Sequence, residues 1–167
     1  MRRVVTGTRP DGRSTIVYDG HAPVAFTLDP EADNPFGLSR MDGAEASSGQ
    51  TDGSFVHELW ALTADPTVAI VDPTLELQSF IVDIPAGATK WIITRIGPGG
   101  DAPMHATPTI DYGLVVSGDI ELGLEDGSVH LFAGDAVVVN GVRHSWLAGP
   151  DGCVIATVLV GIRSADR

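Results

Sequence analysis

Two stretches decide the fold, GGDAPMHATPTIDYGLVVSG at 99–118 and GDAVVVNGVRHSW at 134–146. Each sets a single histidine, His105 or His144, beside a Val-rich run just after a Gly- or Pro-containing turn. Short β-branched runs bounded by such turns read as strands. Two imidazoles several strands apart converge only if the sheet curls on itself. A closed sheet with inward-pointing histidines is a metal or small-molecule pocket. No other part of the chain carries comparable chemical information.

The same rhythm extends outward from these stretches. From residue 104 the pieces MHATPTI, DYGLVVSG, DIELGLEDG, SVHLF, DAVVV, RHSWLAG and CVIATVLVGI follow one another, most of them separated by Gly-Asp, Asp-Gly or Pro-Asp-Gly. Such turns need a positive φ or a preset proline, which is why glycine recurs there. Upstream, RRVVTG, STIVYDG, PVAFTL, SFVHELWAL (54–62, a strand in preference to a helical turn), LELQSFIVDIP (75–85) and TKWIITRIGPG (89–99) add further strands. In the last of these, Trp91, Ile93 and Arg95 alternate with Ile92, Thr94 and Ile96. Residues 29–53 are small and acidic without a period, and read as a long surface loop: a lid, an oligomer contact or disorder. No helix of any length is evident, so the chain is all-β, a sandwich or a barrel.

Composition narrows the function classes. With 167 residues the chain fits one domain and buries a core without disulfides or a structural metal. A formal net charge of −12 argues against nucleic acid and anionic membrane, which call for a basic surface. The lone Cys153 lies in an apolar run and reads as an inert buried thiol, which suits a reducing cytoplasm. The start MRRVVTGTRPDGR lacks the apolar region of a signal peptide. There is no Ser-His-Asp ordering, no phosphate loop and no CxxC.

The anchors Gly99, His105, Thr107, Asp111 and Gly118, followed by Gly134-Asp135, Gly141 and His144, resemble the two signature motifs of the cupin superfamily. The likeness covers about residues 90–160, and the first motif keeps the family spacing at five anchors. Thr107 replaces the second histidine and Asp111 the glutamate, Asn140 stands near the usual proline, and the turn before His144 is one residue shorter. The texture is similar to small bacterial single-domain cupins, some of them found with secondary-metabolite enzymes. The resemblance implies a jelly-roll barrel with its core motifs at 89–163, flanked by N-terminal strands and the loop at 1–88. It also implies a small-molecule substrate and a homodimer.

Read from the residues, His105 and Thr107 share a face of an extended segment, and Asp111 opens the next strand. His105, Asp111 and His144 make a two-histidine, one-carboxylate set suited to a divalent metal such as Fe, Zn, Mn or Ni. Aspartate is shorter than glutamate, so a metal-free pocket with a histidine as general base is the competing reading. Thr107 is expected to orient water or substrate. Arg95 is a candidate substrate clamp or a surface salt bridge. Tyr112 and Trp146 flank the ligand positions. They are secondary pocket candidates, placed by alternation on the opposite face with core packing as their role. His57 and His130 read as structural, and His21 as solvated.

The expected activity is non-redox, lyase- or isomerase-type chemistry on a carbonyl-bearing metabolite of secondary metabolism: dehydration, decarboxylation, cyclisation or isomerisation. The alternatives are an Fe(II) dioxygenase and a non-catalytic binding module.

Overall fold

The chain is described by a computed structural model over residues 2–8, 10, 13–32, 37–47, 53–62, 74, 75, 77, 79, 80 and 84–163. Its strands are β1 (Arg2–Thr8), β2 (Ser14–His21), β3 (Val24–Leu28), β4 (Leu38–Asp42), β5 (Phe55–Leu62) and β6 (Thr89–Ile96). They continue as β7 (Asp101–His105), β8 (Thr109–Leu124), β9 (Gly127–Phe132), β10 (Ala136–Asn140) and β11 (His144–Gly161). A single short helix, α1 (Gly43–Ser47), interrupts them among the described residues. The expected all-β architecture is what the chain adopts, and it is of the jelly-roll type.

The sheet rolls because β8 and β11 are each long enough to serve two layers. The first half of β8 pairs with β10 and with the second half of β11; its second half pairs with β9 and the start of β11. The wide layer therefore runs β10-β8-β11-β6-β5-β3-β4, while β7 joins β11 and β9 joins β8 in the smaller one. The bend falls at Gly118 in β8, where the register with β11 jumps from Ala148 to Cys153. Gly118 has φ +72, and a Cβ there would overlap the Gly152 carbonyl oxygen. Only glycine permits that crossing.

Pieces read separately in the sequence are thus continuous: DYGLVVSG joins DIELGLEDG, and RHSWLAG joins CVIATVLVGI. Glycine marks bends inside strands there, as well as turns between them. The loop expected at 29–53 contains β4 and α1, because Leu38–Asp42 pairs with β3; residues 33–36 and 48–52 lie outside the described residues. The strand expected at 75–85 is not formed by its described members, Leu75, Leu77, Ser79, Phe80, Ile84 and Pro85. Residues 76, 78 and 81–83 of it lie outside the description.

Two apolar clusters fill the roll. Ile96, Val115, Ile120, Leu122, Leu131 and Ile155 pack where the layers meet; Val56, Ile84, Ile92 and Leu159 pack toward β5 and β6. Cys153 belongs to the first cluster, and burial pushes its thiol up to about 11, as an inert core cysteine requires. The β1–β2 hairpin is a separate two-stranded sheet. Arg3 ties it to the roll, its Nη1 donating to the Leu59 carbonyl at 2.7 Å and to Thr74 Oγ1 at 3.0 Å.

Candidate functional site

Register builds the site. His144 at the head of β11 is the direct cross-strand partner of His105 at the end of β7, with a bulge just beyond, before Trp146. The two rings lie 4.4 Å apart between centroids, tilted by 54°. Each ring is tethered the same way. His105 Nδ1 donates to the Pro103 carbonyl at 2.7 Å, and His144 Nδ1 donates to the Val142 carbonyl at 2.9 Å. A carbonyl only accepts, so a ring proton sits on Nδ1 in both imidazoles and Nε2 is the nitrogen left to act as a base.

Thr107, Thr109 and Asp111 alternate along one face. The Thr107 and Thr109 hydroxyls are 2.7 Å apart, and Thr109 in turn donates to the Asp111 carboxylate. Donation therefore runs from Thr107 to Thr109 to Asp111, leaving Thr107 an acceptor on the pocket side. Among the described residues, Asp111 Oδ1 is buried without a hydrogen-bond partner. Burial raises the Asp111 pKa, against the Thr109 hydrogen bond and the charges of His144 and His105. Burial likewise lowers that of His144. The two groups are thus drawn toward each other on the pH scale.

His105, Thr107, Asp111 and His144 line a pocket of about 210 Å³ inside the roll, whose other walls include Phe55, Val56, Phe80, Ile92, Leu159 and Trp146. Of the sequence candidates, His105, Thr107, Asp111, His144, Arg95 and Trp146 border it. Trp146 packs against the core as expected, but its face differs from the alternation reading: it borders the pocket and meets the His144 ring edge-on at 5.7 Å. Tyr112 points outward and is 51% exposed, so it lines neither pocket nor core. Arg95 sits at the Phe55 edge, its Nε buried without a partner among the described residues. His57 is buried and held by a Val24 backbone hydrogen bond, and His130 pairs with Asp119 at 2.6 Å, both structural as expected. Thr109 was absent from the sequence candidates, although its place midway between Thr107 and Asp111 in a two-residue period was the signal.

The donor chemistry suits a divalent metal: two imidazoles with Nδ1 anchored to carbonyls, and a carboxylate oxygen left unpaired. The spacing does not. Among the described residues, no three His, Cys, Asp or Glu side chains are gathered closely enough to hold an ion. What the fold assembles is a histidine pair with a carboxyl group on the same wall.

No family model matches the chain. It is 39% identical over 96 residues to phomopsin biosynthesis cluster protein D of Diaporthe leptostromiformis, covering 54% of this chain and 51% of that protein. It is 40% identical over 52 residues to a cupin-domain-containing oxidoreductase of Neurospora crassa, covering 30% and 26%. The chain thus spans about half or less of the length of these relatives. An RmlC-like cupin from Shewanella frigidimarina superposes with a TM-score of 0.44 at 15% identity, over 69% of this chain and 82% of the other. The two glycine-histidine motifs meet across one ladder of a rolled sheet. Over the matched part of its length the chain is similar to a cupin-domain protein.

Proposed function

We propose that the protein is a small-molecule enzyme of secondary metabolism that moves a proton next to a carbonyl, in a non-redox dehydration, cyclisation or isomerisation. The observation supporting this most directly is the fixed tautomer of His105 and His144 beside a buried, pKa-raised Asp111. In this reading an imidazole Nε2 takes the proton and Asp111, fed by the threonine relay, exchanges it. Trp146 and Phe55 shield the reacting carbon from water, and Arg95 steers an anionic group. The likeness to a biosynthesis-cluster protein supports the secondary-metabolic setting.

A second reading, that a divalent metal assists this chemistry, is favoured by the tethered histidines and the unpaired Asp111 oxygen. His105 and His144 would be its anchors, with Asp111 drawn in.

The test is deuterium exchange at the α-carbon of a panel of small apolar ketones, aldehydes and esters in D2O, read by NMR. Exchange with the native protein, falling 10²–10⁴-fold in His105→Ala and His144→Ala, is the expected result. Binding without exchange would leave a binding module. Oxygen uptake that depends on added Fe(II) would move the protein to the dioxygenases. Elemental analysis alongside separates the two readings: an equivalent of metal lost in the histidine variants selects the second.

For assembly we propose a homodimer through the outer face of the wide layer. Val138, Tyr112, Val158 and Trp91 form one cross-strand row there, 60%, 51%, 37% and 49% exposed. Two copies of a chain carrying −12 meet most cheaply on a stripe without charged side chains.

A further inference from the structure

Two hydroxyls on the pocket floor take no part in the histidine end. Thr94 on β6 and Thr157 on β11 both line the cavity. Alternation turns their side chains inward. Thr94 stands between Ile92 and Ile96, and Thr157 between Ile155 and Leu159, all four of them buried and lining the same pocket. The alternate face of each strand carries the exposed Trp91 and Val158.

Register sets the two threonines in line with Asp111. Asp111 pairs with Leu159, two residues from Thr157, and Thr157 pairs with Ile92, two residues from Thr94. Each group is therefore the diagonal neighbour of the next, about 7 Å away across the ladder. A carboxyl and two hydroxyls thus step across three adjacent strands, β8, β11 and β6, through a floor that is apolar around them. Gly113, the partner of Thr157 on β8, also lines the pocket and puts no side chain over that hydroxyl.

The Thr107 and Thr109 hydroxyls are engaged with one another and with Asp111. Those of Thr94 and Thr157 have no hydrogen-bond partner among the described residues, and unlike Asp111 Oδ1 they are not closed off by burial. A hydroxyl proton facing an otherwise apolar wall is satisfied only if the occupant of the pocket supplies an acceptor. A carbonyl oxygen, with two lone pairs and no proton, accepts from both.

We infer that Thr94 and Thr157 hold a second carbonyl group of the substrate, so that the pocket takes a neutral dicarbonyl compound. One carbonyl then lies at the histidines and the other on the threonine pair. The inference deepens the proposed function and rests on its reading that a carbonyl compound occupies the cavity.

Cyclohexane-1,4-dione and cyclohexanone test it, being alike in shape and differing by one carbonyl. The readout is the ratio of their dissociation constants, measured by NMR titration on the native protein, on Thr94→Val/Thr157→Val and on Thr94→Ser/Thr157→Ser. Valine keeps the branched shape that strands favour and removes the hydroxyl; serine keeps the hydroxyl. The native protein is expected to prefer the dione, the valine variant to weaken that preference about tenfold, and the serine variant to retain it. On the native chain alone, the Thr94 and Thr157 methyl resonances are expected to move further with the dione than with the monoketone. An unaltered ratio in the valine variant, its equal loss in the serine variant, or methyl signals that answer both probes alike overturns the inference and leaves the proposed function standing. A pocket that admits neither probe overturns both.

Discussion

At the residue scale, the site works through what burial does to a few polar groups. Thr109, 1% exposed, is the link that gives Asp111 a donor while leaving its second oxygen open. His57 shows the same force in a structural setting. Burial holds its imidazole at about 4, against 6.5 for the free group. Because the folded value lies below the unfolded one, the unfolded chain takes up the proton first. The associated stability is therefore complete above pH 6.5 and lost as the pH falls toward 4. At 1.36 kcal/mol per pH unit the loss amounts to about 3 kcal/mol. Calorimetric melts of the native protein and His57→Leu across this window should converge as the pH falls; parallel curves would refute the assignment.

At the scale of elements, the bend in β8 decides whether the histidines meet at all. Gly118→Ala forces a side chain into the Gly152 carbonyl oxygen at a positive φ, so the two long strands must part. A loss of about 2–4 kcal/mol is expected from urea midpoints. Gly99 also has a positive φ, +63, yet among the described residues nothing lies within 4 Å of where its Cβ would stand. Gly99→Ala should therefore cost only about 1 kcal/mol, the backbone term alone. Equal losses at both positions would show that the crossing is looser than drawn. The sequence marked both glycines as turn signals, and nothing local separated the one at a bend from the one at a turn. What distinguishes them is a carbonyl from a segment more than thirty residues away.

At the scale of the whole molecule, the exposed row from Val138 to Trp91 carries the proposed assembly. Trp91→Glu places a charge in that row without touching the pocket. Sedimentation of the native chain as a dimer, and of this variant as a monomer with an unchanged melting temperature, is the expected outcome. A native monomer would remove the proposal.

The all-β class and the strand alternation of β6 were legible in the chain itself, and motif spacing marked His105 and His144 as side chains expected to converge. Period-two patterning, glycine punctuation and motif spacing are local quantities, and these features depend on little else. Trp146 was open to the same reasoning, since two residues from His144 already meant the same face. Tertiary structure decided the rest. It determined that four sequence pieces are two continuous strands, that Leu38–Asp42 is an edge strand, and that Asp111 stands beside the histidines without closing a three-ligand cluster. It also paired Glu58 with Lys90. Their separation of 32 residues leaves no local trace, because only a cross-strand register can bring two such side chains into one dry interior.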